Sequence, residues 1–262
     1  MGRVRPPAVA GRFYPEEPEL LARTVAELLE QAPVAAHAAA PRALIVPHAG
    51  YVYSGSAAAC GFKLLAPHRG ALRRVVIIGP AHYVPFMGLA LPPHEAFATP
   101  LGTMPVDREG VAALLELPQV SVIARPHLPE HALEVELPFL QQLFGPLLIL
   151  PLLFGGCDDG ETAEAIARVW DEETLLVVSS DLSHFQPYEE ARRHDERTAA
   201  AIERLDRRAI GPDDACGYRA LRALLALARE RGLRAERLAL HNSGDVGGGR
   251  DSVVGYGAWA LF

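Results

Sequence analysis

Two stretches of this sequence are written alike. Ala43 to Pro47 is an unbroken apolar run that stops at His48, and Arg74 to Ile78 is another, broken by Gly79-Pro80 and followed by His82. Runs of this kind read as short strands of a parallel sheet covered on both faces. Ligands of open α/β sheets sit beyond the carboxyl ends of the strands, so both imidazoles are expected at one edge of one sheet. One histidine behind a strand is most often a loop residue or a hydrogen-bonded core group. The repetition is what points to a metal, for which neutral imidazole is the commonest protein ligand.

Three further clusters carry chemistry. In Pro129 to Pro138, PEHALEVELP, helical spacing would put His131 and Glu134 on one face. An acid beside an imidazole fixes its tautomer and raises its basicity, which suits a proton-transfer group or a support for one; acidic residues at a solvated helix start are the plainer reading. Ser179 to His184, SSDLSH, follows another apolar run and brings Asp181 and His184 to the same edge. That pair fits a set of metal ligands, a base with its orienting acid, or a helix cap. Asn242 to Arg250, NSGDVGGGR, carries Asp245 among glycines. It lacks the Gly-Lys-Ser/Thr ending and the following helix of a phosphate loop, so a flexible site loop is expected.

The elements that must position these residues can be traced from the same pattern. An amphipathic helix is expected over Glu16 to Gln31, then an alanine-rich linker over Pro33 to Pro41, the strand before His48, and a helix over Ser54 to Leu65 capped by its serine. Beyond His82, Gly88 to Leu91 and Ala96 to Pro105 read as a small antiparallel insertion. Asp107 to Leu115 is a short helix with an aspartate cap and Val120 to Ala124 a strand. Leu147 to Leu153, Asp159 to Trp170 and Thr174 to Ser179 form a βαβ unit. Two helices, Tyr188 to Leu205 and Ala215 to Arg231, are joined by a Gly-Pro-Asp-Asp turn read as the cap of the second. Strands over Arg237 to His241 and Ser252 to Leu261 close the chain.

Composition narrows the class. With 262 residues, half of them hydrophobic, the chain can bury a large core as one α/β domain or two small ones. A net charge of −7 with scattered arginines leaves no basic stripe for a phosphate backbone, so nucleic acid is not an expected partner. No apolar stretch is long enough to span a bilayer and the N-terminus lacks the apolar core of a signal peptide, so a cytoplasmic, membrane-free protein is expected. Cys60, Cys157 and Cys216 are odd in number, far apart and in no CxxC pair, and read as small core residues. Lys63 is the only lysine, a bias that fits arginine-rich coding in a GC-rich genome.

In order, GRFYP, PHAGYVYSG, GPAHY, EHALEVELP, SSDLSH and the closing SGD and DSVVGYGA resemble the Memo family, over Gly11 to Ala258. The resemblance implies a single α/β domain over residues 1–262, with a mostly parallel central sheet, helices on both faces, and a fold similar to the class III extradiol dioxygenases. It also implies a non-haem metal site with His48 and His82 as ligands and a third from the closing loop. Animal members carry a cysteine there and this chain offers Asp245, which changes the set to two histidines and one carboxylate and favours iron, with copper or zinc as alternatives. His184 is then an acid/base group oriented by Asp181, and His131 a similar support. The implied activity is that of a metal-dependent redox enzyme, dioxygenase-like, on an unknown small-molecule substrate. A metal-dependent hydrolase is the alternative, and a peptide-binding or protein-binding module lined by Tyr51, Tyr53 and Tyr83 a third reading. Microbial relatives are associated with radical-SAM proteins, which makes such pathway proteins candidate partners for a prokaryotic member.

Overall fold

The computed structural model describes residues 4–33, 39–68, 70 and 72–262; most of the linker Pro33 to Pro41 lies outside them. Chain order gives the strands β1 (Val4–Arg5), β2 (Ala43–Val46), β3 (Arg74–Pro80), β4 (Leu89–Leu91), β5 (Ala96–Thr99), β6 (Gly102–Pro105), β7 (Val120–Val122), β8 (Leu148–Phe154), β9 (Thr174–Ser179), β10 (His184–Gln186), β11 (Ala235–Asn242) and β12 (Val253–Leu261). The helices are α1 (Pro18–Gln31), α2 (Tyr51–Lys63), α3 (Arg108–Leu114), α4 (Ala124–His127), α5 (Leu137–Phe144), α6 (Asp159–Val169), α7 (Tyr188–Glu203) and α8 (Tyr218–Glu230).

Among the described residues the main sheet has nine strands, ordered β10-β12-β2-β9-β3-β8-β4-β7, with β11 also paired to β12. Its centre, β2-β9-β3-β8, is parallel, and β12 and β4 flank it antiparallel. Side chains alternate between two cores, which is why these strands read as continuous apolar runs. Ala43, Ile45, Val76, Ile78, Val178 and Leu152 pack with α6, α7 and α8. Leu44, Val46, Val75, Ile77, Val177 and Leu153 pack on the other face with α1, α2 and α5. The expected α/β class with helices on both faces is thus what the chain forms.

Local departures have physical causes. Helix α2 begins at Tyr51 rather than at Ser54; Gly50 is its N-cap without a side-chain bond, and Ser54 lies inside the helix with its hydroxyl on the Ala49 carbonyl. The early start brings the helix almost directly onto His48. Of the expected insertion, only β5 and β6 form a hairpin, completed by β1 as a separate three-stranded sheet, whereas β4 joins the main sheet beside β8 and β7. The Gly-Pro-Asp-Asp turn does not cap α8: its N-cap is Gly217, and Asp214 instead accepts from Gly211 N and meets His194 Nε2. No helix among the described residues is long and apolar enough to cross a membrane.

Candidate metal centre

Strand order decides where the polar groups meet. β9 lies between β2 and β3 and all three run parallel, so His48, Asp181 and His82, each two residues past its strand, emerge side by side at the carboxyl edge. The fourth contributor is the turn Glu130–Leu133, which crosses this edge: Gly79 of β3 lies so close under Ala132 and Leu133 that an added Cβ would come within 3.1 Å of the Leu133 side chain.

The result is a cluster of three imidazoles. His48, His82 and His131 each offer a ring nitrogen within 4.8 Å of the others, the one group of three metal-capable side chains found among the described residues. Their ring centroids are 5.1, 5.3 and 4.8 Å apart, with His82 and His131 stacked. Each Nδ1 already has a partner. His48 Nδ1 lies 2.7 Å from Ser179 Oγ, and His82 Nδ1 lies 2.9 Å from Glu130 Oε1. His131 Nδ1 is 3.2 Å from both the Tyr83 hydroxyl and Glu130 Oε1. Nε2 is therefore the nitrogen each ring presents to a ligand, the arrangement in which a ring's second nitrogen is held by a protein group.

Glu130 organises two of the three. It accepts from the backbone N–H groups of His82, His131 and Ala132 as well as from the His82 ring. Burial alone would raise its pKa, but the His82 ring and these N–H donors win and hold it at about 2. His48 and His131, in contrast, are kept neutral. Burial lowers the pKa of His48 to about 3, with His82 adding to the effect. Burial and the neighbouring His48 lower that of His131 to about 4. Neutral, lone-pair-bearing imidazoles are what a divalent metal requires, so the residues present fit such an ion.

The other expected site residues are placed as follows. Asp181 is buried; its Oδ1 accepts from His48 N at 2.8 Å, and burial raises its pKa against that bond and the nearby His184, His131 and His82. No hydrogen bond joins it to His184 among the described residues. His184 begins β10, within electrostatic reach of both His48 and Asp181. Next to it Phe185 is in a left-handed conformation (φ 59°) and 75% exposed, so the strand presents an aromatic ring to solvent beside the site. Asp245 is not in the cluster. Its carboxylate closes the turn after β11 by accepting from Asn242 N, and takes the Tyr188 hydroxyl at 2.5 Å. It lines a separate cavity of about 490 Å³ with His241, Arg237 and Asp195.

Glu134 does not share a face with His131. His131 lies outside any helix, the 3-10 helix begins at Glu134, and the Glu134 carboxylate points away to Arg5 at 2.6 Å. Residues whose part in the site the sequence did not indicate are Glu130 as the carboxylate behind the rings, Ser179 and Glu136 behind His48, and Cys216, whose sulfur lies 3.4 Å from His48 Nε2. Only the EH pair in EHALEVELP carried a signal for Glu130. Tyr83 and Phe13 flank His131, while Tyr51 is buried with its hydroxyl on the Val135 carbonyl.

The family model for Memo-like proteins matches residues 5–260. A MEMO1 family protein of Saccharolobus solfataricus is 34% identical, covering 96% of this chain and 97% of its own length. One from Thermotoga neapolitana is 35% identical over 97% and 98%, and one from Aquifex aeolicus 37% identical over 78% and 76%. The crystal structure of an uncharacterised protein from Escherichia coli K12 superposes with a TM-score of 0.53 over 83% of this chain and 98% of that one, at 14% identity, a likeness of fold alone. The chain belongs to the Memo family.

Proposed function

We propose that this chain is a metal-dependent redox enzyme, dioxygenase-like, with His48, His82 and His131 as ligands of a divalent metal and His184 as the proton-transfer group. The observation that carries the reading is the convergence of three imidazoles, each with Nδ1 held by a partner, at the carboxyl edge of the sheet. A metal there would polarise an oxygen-rich substrate, and iron or copper would in addition carry electrons to dioxygen. The chain's own residues do the rest. Glu130 holds His82 and the His131 turn in place. The buried Asp181 lies within electrostatic reach of His184, the ring that would exchange a proton with the substrate. Tyr83 and Phe185, both largely exposed, suit a planar, partly apolar substrate.

Iron remains the first choice because the resemblance to the Memo family implies a fold similar to the extradiol dioxygenases. Its carboxylate ligand, however, was expected from Asp245, which is engaged elsewhere, and an all-imidazole set accepts zinc and copper as readily. That donor set favours a second reading, hydrolysis, since three histidines are a known zinc set for activating water. Elemental analysis of protein purified anaerobically, followed by oxygen uptake with dihydroxyaromatic compounds, separates the two. Stoichiometric iron with oxygen uptake supports the first reading; zinc with oxygen-independent ester or amide cleavage supports the second. A parent without metal, or the same metal content in His48→Ala and His82→Ala, overturns both.

A further inference from the structure

Behind His48, the Ser179 hydroxyl oxygen has three polar neighbours: His48 Nδ1 at 2.7 Å, the Ala132 carbonyl oxygen at 2.6 Å and Glu136 Oε1 at 2.9 Å. A hydroxyl supplies one hydrogen and two lone pairs. The Ala132 carbonyl can only accept, so it takes the Ser179 hydrogen. Both remaining neighbours then face a lone pair and must donate. His48 therefore carries its hydrogen on Nδ1, and Glu136 carries one on Oε1. An ionised Glu136 would instead set a carboxylate oxygen against a hydroxyl lone pair, with His48, Ser179 and Glu136 all buried.

Two other observations agree. Glu136 Oε2 is buried without a hydrogen-bond partner among the described residues, a situation far less costly for the carbonyl oxygen of a neutral acid than for half of a carboxylate. No arginine or lysine among the described residues pairs with Glu136, whereas Glu134 and Glu130, two and six residues earlier, are fully provided with donors. Burial pushes the Glu136 carboxyl well above the ordinary range, and the nearby Asp181 adds to this against the Ser179 bond.

We propose that Glu136 is a positioning residue for the histidine cluster, a neutral carboxylic acid that acts through Ser179 to fix His48 as the Nδ1–H tautomer with Nε2 turned to the ligand position. The imidazole must otherwise choose between two tautomers, one of which puts a hydrogen where a metal would sit. Glutamate in this role is replaceable by glutamine, because the amide N–H can donate to Ser179 as the acid O–H does.

The assignment rests on the metal reading only for the affinity of the site, and the decisive measurements use metal-free, full-length protein. Nitrogen NMR of ¹⁵N-histidine-labelled protein reads the tautomer of His48, and infrared difference spectroscopy against Glu136→Gln reads the carboxyl. The expected result is an Nδ1–H ring in the parent and in Glu136→Gln, and a protonated carboxyl band at neutral pH that vanishes in Glu136→Gln. In Glu136→Ala and Ser179→Ala the tautomers mix, and affinity for zinc, titrated alone, falls about 10-fold to 100-fold; in Glu136→Gln it stays close to the parent. An Nε2–H ring in the parent, or a carboxylate band without the protonated one, overturns the proposal. So does a Glu136→Ala variant with unchanged tautomer and affinity. Should the alanine variants fail to fold, the parent and Glu136→Gln spectra decide alone. A parent with the Nδ1–H ring and the protonated acid but no zinc affinity would sink the metal reading and leave this assignment standing.

Discussion

His48 and His131 are buried neutral rings, and that has a consequence for acid stability. Their folded pKa values, about 3 and about 4, lie below the ordinary 6.5. Between these limits the unfolded chain binds the protons that the folded chain refuses. Stability is therefore intact above pH 6.5 and declines as pH falls from there toward 4, by roughly 1.4 kcal/mol per pH unit for each ring fully engaged. Urea unfolding of metal-free protein at pH 7, 6 and 5 should show this slope, and it should be shallower in His48→Phe. Glu130 works in the opposite window: its pKa is lowered from 4.5 to about 2, so its contribution is present above pH 4.5 and lost as pH falls through 2. Glu130→Gln should keep the fold at pH 7 but weaken zinc binding about 10-fold to 100-fold, because one of the two oxygens that accept from His82 and the His131 turn becomes an NH2 donor and the charge is lost. A calorimetric titration that finds unchanged affinity would remove Glu130 from the site. His48 and His82 could be read from sequence since each closes an apolar run. The place of His131 could not, because it depends on a turn packed over Gly79 from a distant part of the chain. The surroundings of Asp245 could not be read for a related reason: a carboxylate in a glycine-rich loop gives no sign in sequence of whether it faces a metal or closes its own turn.

At the scale of elements, the EHALEVELP segment is held by a buried ion pair in addition to the core packing of Leu133, Val135 and Leu137. Glu134 accepts from Arg5 at 2.6 Å, from Ala8 N and Val9 N, and from the Tyr14 hydroxyl, while Arg5 also donates to the carbonyls of His127 and Glu130. The first strand is thereby clamped to the turn that bears His131. Removing one partner leaves a buried charge and two backbone donors unpaired, so Glu134→Ala should cost about 3–5 kcal/mol in urea unfolding. The same variant should lose zinc affinity, since His131 lies three residues upstream in the freed segment. A loss below about 1 kcal/mol would mean that the clamp is not a stabilising element. Helical periodicity suggested that Glu134 would face His131, but the 3-10 helix begins only at Glu134 and His131 lies before it outside any helix, and the partner 129 residues away is invisible to local pattern. The strands were legible for the converse reason. β2, β3, β8 and β9 are covered on both faces, and that condition alone makes each an apolar run with sharp ends.

For the whole molecule, the decisive feature is that the three strands whose ends bear His48, Asp181 and His82 are neighbours in the sheet although they are separated in sequence, β9 being inserted between β2 and β3. Both hydrophobic cores share this sheet, so neither side can open without exposing the other, and the site is lost when the sheet is lost. The chain should accordingly unfold in one transition, with any ligand of the histidines acting on the whole of it. A ligand that binds the folded state at 100 times its dissociation constant adds about 2.7 kcal/mol. For a chain of this size that corresponds to a rise in Tm of about 5–10 °C. Scanning calorimetry with zinc should show this rise in the parent and in Asp245→Ala, and none in His82→Ala. Because the histidines belong to the folded state alone, a rise of equal size in His82→Ala would place the ion elsewhere, and its loss in Asp245→Ala would return the closing loop to the ligand set.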